Sequence, residues 1–370
     1  MNLERSKVLK VCSYSSARKV LASRDEFGPP AMIEYIELLE KEAGEDFTQL
    51  KRFFSAFLPF MHGEKHLWLR KKINRRFTLS EVRKWQSKII NTIENRILET
   101  KKFEKCDLID DILDALYMDF VEQVFGVSLP DRKAFIQHID IATKAVERMA
   151  SLSQLHKLQN TLIELETLIT DNIAIPNTET LFGEIVSDLK EEVDFFEISS
   201  LLCVLLIAPK ATTETLAHIV REFVSSSEEN KLRLMSKEWV NNHVNDLIRL
   251  FASTNLLSKE SKLDTVIDGC PVSKGQQVLI DIPKVNRDST VYGSQISLEC
   301  LEGRSEKRKH LTFGAGPHIC IGAELAKEII REFVPRFFSA FPNIHCSDDT
   351  LTFHKAQIAK RIERLTVTFK

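Results

Sequence analysis

The feature that most constrains this chain is a glycine-rich stretch around one cysteine. It reads Phe313-Gly-Ala-Gly-Pro-His-Ile-Cys320-Ile-Gly322 and precedes an amphipathic pattern that predicts a helix over residues 323–338. The glycines permit left-handed backbone and let a flat, bulky group approach closely. A cysteine just before a helix amino terminus meets the positive end of the helix dipole, which favours a thiolate. The stretch therefore predicts a loop that presents Cys320 as a ligand, although a lone cysteine in such a turn is more often structural.

Helical periodicity dominates the rest of the chain, which has only 12 Gly and 11 Pro in 370 residues. The pattern predicts helices over residues 16–22, 32–43, 64–77, 80–100, 108–125, 133–148, 155–172, 181–190, 193–224 and 237–250. Short β-branched runs at residues 266–269, 277–282 and 365–369 predict small strands. No repeat or linker interrupts the sequence. We therefore expect one continuous domain that is mainly α with small β-sheets.

Charge and cysteine usage exclude several classes of protein. The net charge of −2 gives no global field that would attract nucleic acid. The seven cysteines are odd in number and form no CxxC pair, which argues against a disulfide framework and a zinc site. The amino terminus lacks a signal-peptide pattern, and the longest apolar stretch, residues 198–208, is too short to span a bilayer. These features predict a cytoplasmic protein with no nucleic-acid partner and no membrane span.

The order Phe-x-x-Gly-x-His-x-Cys-x-Gly matches the haem-binding signature of cytochromes P450 at every specified position, so the chain resembles that family. The resemblance implies the cytochrome P450 fold over residues 1–370, haem b as cofactor and Cys320 as the axial ligand to iron. It also implies that the cofactor-binding loop includes Phe313, Gly314, His318 and Gly322.

Two upstream features resemble the family's propionate-binding positions. His66 and Arg70 resemble a histidine and an arginine that contact a haem propionate, and their i, i+4 spacing places both on one helix face. An exposed basic helix is the alternative interpretation. Counting back from Gly269 to the position of a propionate-binding arginine in relatives reaches Lys259. Lysine supplies the charge there but not a bidentate fork.

Two further motifs resemble structural landmarks of the family. Asp246-Leu-Ile-Arg249 resembles its Glu-x-x-Arg pair, which belongs to a buried ion-pair network, with Asp in place of Glu and Arg304 as a candidate third member. Asn286-Arg287-Asp288 matches a family tripeptide. The resemblance begins near Tyr14, whereas relatives usually carry a further helix and strand before that point. An altered substrate entrance is one expected consequence.

The family pattern departs where an oxygen-activating helix is expected, at residues 201–215. Relatives carry an acid–alcohol pair there, and this chain reads Ala208-Pro-Lys-Ala-Thr-Thr-Glu-Thr215. In the register that the spacing to Asp246 favours, Thr212 is the alcohol and Ala211 replaces the acid. A register shifted by three would make Glu214 the acid, so Thr212 and Glu214 are both candidate catalytic residues. Pro209 predicts a kink, because it removes an N–H and clashes with the preceding turn.

The resemblance implies a monooxygenase that uses dioxygen to oxidise a small organic molecule, in secondary or specialised metabolism and hence biosynthesis. We expect electrons from a ferredoxin or flavodoxin, docked on a basic cluster: Arg70, Lys71, Lys72, Arg75 and Arg76, with Lys307, Arg308 and Lys309. The missing acid leaves two alternatives open. One is a peroxide-using or otherwise atypical enzyme of the same kind, and the other is a haem-binding relative without turnover.

Overall fold

The computed structural model describes residues 8–146, 151–173, 177–301, 309–355 and 358–369. Most of these residues are helical, which confirms the predicted fold class. The α-helices are α1 (Tyr14–Ala22), α2 (Met32–Ala43), α3 (Thr48–Ala56), α4 (Gly63–Asn74), α5 (Leu79–Thr100), α6 (Ala115–Phe120), α7 (Arg132–Ala142), α8 (Leu152–Ile173), α9 (Leu181–Leu189), α10 (Phe195–Ile207), α11 (Lys210–Ser225), α12 (Glu228–Met235), α13 (Lys237–Phe251), α14 (Ile282–Val285), α15 (Ser289–Tyr292) and α16 (Ala323–Ala340).

The strands form three small sheets. They are β1 (Leu9–Val11), β2 (Phe27–Gly28), β3 (Lys105–Asp107), β4 (Leu256–Ser261), β5 (Thr265–Ile267), β6 (Cys270–Val272), β7 (Gln277–Asp281), β8 (Ile344–Phe353) and β9 (Ile362–Phe369). One sheet has the order β1-β7-β4-β2, a second β3-β9-β8, and β5 pairs with β6. β1 is parallel to β7, whereas β4 is antiparallel to β7 and to β2.

The chain divides into two compact units. Unit 1 comprises residues 1–28, 89–116 and 211–370, and unit 2 comprises residues 29–88 and 117–210. Unit 1 holds the three sheets, α12–α16 and the loop that carries Cys320, while unit 2 holds α2–α4 and α7–α10. The single domain over residues 1–370 therefore stays a prediction.

The core of unit 1 forms where α1 covers the sheet. Ala17, Val20 and Leu21 of α1 pack in one buried cluster with Val278 and Ile280 of β7. α1 begins after Ser13, whose side chain accepts a hydrogen bond from the Ser16 N–H and caps the helix. Leu311, two residues before Phe313, belongs to the same cluster. The beginning of the cysteine loop is thus anchored to the core of the sheet.

The core of unit 2 is helical. Buried residues recur along α8 at helical spacing, and α8 packs against α3, α7 and α10. α10 is buried from Ile198 to Ile207. By length and composition, the helical stretch Phe195–Ser225 would suffice to cross a membrane, but 67% of its most apolar 18-residue window is buried inside the protein. That burial is what a core helix shows.

The sequence predicts a kink at Pro209, and the helix is interrupted at this position. The helix expected over residues 193–224 is two helices, with α10 ending at Ile207 and α11 beginning at Lys210. Proline cannot donate the backbone hydrogen bond that a continuous helix needs. Gly126 ends the segment over residues 108–125 in the left-handed conformation, at φ 80°, as predicted. Several short elements were not predicted, because their apolar patterns are too weak to recognise in isolation. They are the helices α3, α12, α14 and α15 and the strands β1, β2, β3, β4, β6 and β8.

Candidate functional site

The cysteine loop is a tight turn that ends at the amino terminus of α16. The backbone N–H of Cys320 donates to the carbonyl of Phe313 at 2.7 Å, which closes the loop. Gly314 and Gly316 have φ values of 71° and 70°, a left-handed conformation that favours glycine. A Cβ on Gly316 would lie 2.6 Å from the Cα of Ala22, so the end of α1 packs directly against the loop. Positive φ at Gly314 and Gly316, and the close approach of α1 to Gly316, thus explain why the loop has glycine at these positions.

Cys320 differs from the buried cysteines in its surroundings. Its side chain is exposed and stands just before Gly322, which caps the 18-residue helix α16. Burial raises the pKa of Cys106 to about 12 and raises the pKa of Cys203 well above its usual value. Those two thiols stay protonated and are poor metal ligands. Cys320 is accessible and meets the positive end of a helix dipole, which suits a thiolate ligand.

An ion pair within α13 begins a network that reaches the cysteine loop. Arg249 contacts Asp246 through Nε at 3.0 Å and Nη2 at 2.9 Å, and both side chains are buried. Nη1 of Arg249 donates to the carbonyl of Asn286 at 3.0 Å. The pair predicted from the Asp-x-x-Arg motif is therefore formed, despite the shorter acid. Arg304, the expected third member, lies outside the described residues.

Asn286 connects α13 to the first residues of the loop. Its Nδ2 donates to Oγ1 of Thr312 at 2.8 Å and to the carbonyl of Arg249 at 3.3 Å. Its Oδ1 accepts from the backbone N–H of Leu311 at 2.9 Å. Asn286 is fully buried, so these bonds have no competition from water. The tripeptide is recognisable in the sequence as a family motif, but the connection that Asn286 makes between α13 and the loop was not predicted.

The other two residues of the tripeptide form hydrogen bonds with two different helices. Nη2 of Arg287 donates to the carbonyl of Leu250 at the end of α13, at 2.7 Å. Oδ2 of Asp288 accepts from the backbone N–H of Tyr14 at 2.8 Å, at the start of α1. The three consecutive side chains therefore hold α13, α1 and the cysteine loop around one short segment.

His310 is a buried residue of this site that sequence reasoning missed. It is 7% exposed, and its ring centroid lies 5.2 Å from that of Phe313. Burial, with smaller contributions from Lys327 and Arg249, lowers the pKa of His310 to about 3. The imidazole is therefore neutral near pH 7. Its position three residues before Phe313 is the sequence feature that could have identified His310 as a residue of the site.

Lys259 is a buried cation on β4. It pairs with Val278 of β7, so both side chains lie on one face of the sheet. Burial, helped by the nearby charge of Lys262, lowers the pKa of Lys259 to about 8. In the described part of the chain, no acidic side chain forms an ion pair with Lys259. Such a cation suits an anionic group of a ligand.

His66 and Arg70 lie on α4, in unit 2. His66 is 1% exposed and Arg70 is half-buried, so α4 does not present both side chains to solvent. Arg76 pairs with Asp188 and Glu184 at 2.6 and 3.1 Å, and Lys72 pairs with Glu192 at 2.5 Å. These acids reduce the positive charge of the predicted basic cluster. Lys71 and Arg75 remain exposed, Lys309 is exposed in unit 1, and Lys307 and Arg308 lie outside the described residues.

α11 carries the two candidate catalytic residues. Ala211 is exposed and Thr212 half-buried, so this face of the first turn borders open space. Glu214 forms an ion pair with Arg361, and both side chains are buried. Consecutive helical residues are about 100° apart, so Thr212 and Glu214 point in nearly opposite directions. The helix therefore does not bring the two candidates together.

The residues of unit 1 fit the haem that the resemblance implies. Cys320 offers an exposed thiol, and a Cβ on Gly322 would meet no atom within 4 Å, so the loop borders open space. Lys259 offers a buried positive charge for a carboxylate. An exposed thiol, an open loop face and a buried cation are what a flat, anionic, iron-bearing cofactor requires.

Comparison with known proteins agrees with this geometry. Residues 209–369 match the family model described as Cytochrome P450. Cytochrome P450(BM-1) of Priestia megaterium is 24% identical, over 94% of this chain and 84% of its own length. The steroid C26-monooxygenase of Mycolicibacterium smegmatis is 21% identical, over 94% and 89%. The structure of P450BioI in complex with an acyl carrier protein carrying hexadec-9Z-enoic acid has a TM-score of 0.84 at 18% identity, covering 98% of this chain and 92% of that one.

Proposed function

We propose that this chain, a member of the cytochrome P450 family, is a haem-thiolate monooxygenase that oxidises a small organic molecule. Members of the family bind haem b through a cysteine thiolate. The observation that carries the proposal is the presentation of Cys320. Its loop is closed by the bond from the Cys320 N–H to Phe313 and anchored through Asn286 to the buried Asp246–Arg249 pair.

Several side chains have proposed roles in holding the cofactor. Cys320 ligates the iron, and Lys259 neutralises a propionate. His66, Arg70 and His318 are proposed to contact the propionates, while Phe313, Gly314 and Gly322 shape the loop beside the ring. When bound, the haem supplies the activation of dioxygen, and the thiolate donates electron density that favours this chemistry.

The proton route is proposed to pass through Thr212 rather than Glu214. The carboxylate of Glu214 is engaged by Arg361 and faces away from Thr212. This supports the register in which Thr212 is the alcohol and Ala211 stands in the place of the acid. With no carboxylate at residue 211, the Thr212 hydroxyl relays protons from water. General acid assistance is typically worth about 10²–10⁴-fold in rate, so its loss weakens dioxygen-dependent turnover.

The same observation favours a second candidate function, a peroxide-using enzyme of this family. Peroxide already carries the protons and electrons that the dioxygen route must deliver. Substrates named for relatives differ, since one is a steroid monooxygenase and another was solved with a fatty-acyl carrier protein. We therefore propose only the class of substrate, a small organic molecule of specialised metabolism, and a cytoplasmic enzyme that takes electrons from a ferredoxin or flavodoxin.

The experiment that tests the proposal is the absorption spectrum of the reduced carbon monoxide complex. We expect a red-shifted Soret band of the thiolate type, lost in Cys320→Ser and kept in Cys270→Ser, whose cysteine is also exposed. Purified protein without haem, or an unchanged band in Cys320→Ser, would falsify the proposal. Product formation with peroxide but none with dioxygen, a reductase and a ferredoxin or flavodoxin would establish the second candidate.

A further inference from the structure

A short segment before β9, residues 358–361, joins α11 to the start of β4; we call it the clasp segment. The N–H groups of Asn255 and Leu256 donate to the carbonyl of Ile358 at 2.7 and 3.0 Å, and the N–H of Lys360 donates to the carbonyl of Ser253 at 2.7 Å. The backbone of this segment is thus held against the connection between α13 and β4. That connection belongs to the same unit as the Asp246–Arg249 pair and the cysteine loop.

The clasp segment contacts α11 at two positions, which are one helical turn apart. Nε of Arg361 donates to Oε1 of Glu214 in a buried ion pair, with 6% and 10% of the two side chains exposed. Nε2 of His218 contacts the carbonyl of Lys360 at 2.7 Å, and an imidazole nitrogen can bind a carbonyl only as a donor. Residues 214 and 218 are i and i+4, so both contacts lie on one face of the helix.

α11 needs such contacts because of the break before it. Pro209 has no N–H, and the helix restarts at Lys210, so the hydrogen-bond ladder of α10 does not continue into α11. The interruption weakens the coupling between α11 and the turns before it. Tertiary contacts therefore contribute to the orientation of α11 about its own axis.

We propose that Glu214 and Arg361 are positioning residues, whose ion pair sets the rotation of α11 so that Thr212 faces the oxygen side of the cofactor. Thr212 lies roughly 160° around the helix from Glu214, whereas Ala211, three residues before Glu214, lies only about 60° from it. Holding the Glu214 carboxylate on one side of α11 therefore turns the half-buried Thr212 toward the opposite side of the helix. This inference rests on the proposed function, and it gives Glu214 a role other than proton donor.

The test uses haem-loaded protein and imidazole as a probe that binds the open coordination position of the iron. The central variant is Glu214→Gln/Arg361→Gln, which removes both charges of this ion pair and leaves neutral polar side chains in their place. Arg361→Lys, which preserves the charge, is the conservative rescue. Arg364→Gln, three residues further on in β9 and with a 68% exposed side chain, is the matched control.

We expect the double variant to stay loaded with haem and its imidazole dissociation constant to change by about threefold or more, the lower end of the coupling between contacting residues. Arg361→Lys and Arg364→Gln should match the wild type. Each single glutamine variant should shift the constant in the same direction as the double variant. An unchanged constant in the double variant, or a shift in Glu214→Gln with none in Arg361→Gln, overturns the inference. Wild-type protein that binds no haem overturns the proposed function itself.

Discussion

The side-chain amide of Asn286 donates to the hydroxyl of Thr312 at 2.8 Å, so a residue well outside the cysteine loop fixes the chain just before it. The same asparagine accepts from the N–H of Leu311 and donates to the carbonyl of Arg249. The loop that presents Cys320 is therefore held by polar contacts at its base, and not by its glycines alone.

Replacing Asn286 with Ala should loosen the loop. Three buried hydrogen bonds are lost and their partners stay buried, so the free energy of unfolding should fall by about 2–4 kcal/mol. Urea unfolding of the haem-loaded protein measures the change, and the rate of haem transfer to an acceptor protein should rise. Asn241→Ala, at an exposed position of α13, is the control. Equal effects of the two variants would refute the role of Asn286.

Removing the Asp246 carboxylate alone should lower the free energy of unfolding more than removing both charges of the ion pair. Asp246→Ala leaves the guanidinium of Arg249 buried without its carboxylate, and such a loss typically costs about 3–5 kcal/mol. Asp246→Leu/Arg249→Met removes both charges and should be less destabilising than the single change. Denaturant unfolding compares the two, with Glu99→Ala, in an exposed pair with Lys102, as a nearly silent control. A double variant less stable than Asp246→Ala would contradict this expectation.

Because burial lowers the pKa of Lys259, we expect the free energy of unfolding of the haem-free protein to rise with pH. Its pKa is about 8 when folded, below the ordinary value near 10.4, so the unfolded chain binds more protons between these values. Relative to Lys259→Met, the wild type should gain about 2–3 kcal/mol of unfolding free energy from pH 7 to pH 10. Lys259→Arg stays charged throughout and should lack this gain. A parallel pH dependence in wild type and Lys259→Met would disprove the buried cation with a lowered pKa.

Because burial lowers the pKa of His310, we expect the free energy of unfolding to fall in mild acid. Its folded pKa of about 3 lies below the ordinary value near 6.5, so the unfolded state takes up the proton first as pH falls. Between pH 7 and pH 5 this group should lower the free energy of unfolding by about 2 kcal/mol. His310→Asn should lack that share of the loss, whereas His345→Asn, at an exposed position, should keep it. His218, whose pKa is also lowered by burial, contributes in both variants.

Features that depend on neighbours along the chain can be predicted from the amino-acid sequence. The cysteine loop, its glycines, the helix after it and the break at Pro209 all follow from local backbone preferences within a few residues. The Asp246–Arg249 pair is similarly readable, because residues three apart on a helix lie on one face. The family resemblance rests on the same local patterns, and the fold class and the haem-thiolate chemistry follow from it.

Ion pairs between residues that are far apart in sequence follow only from the packing of the folded chain. Glu214 and Arg361 are 147 residues apart, and no local pattern marks their pairing. The same holds for the acids that engage Lys72 and Arg76 of the predicted basic cluster. It also holds for the burial of Lys259, with which no acid among the described residues forms an ion pair. Electrostatic roles depend on distance in space and on exclusion of water, which are set when the elements pack. From the sequence, Glu214 is a candidate acid in the shifted register, and its pairing with Arg361 follows only from the packing.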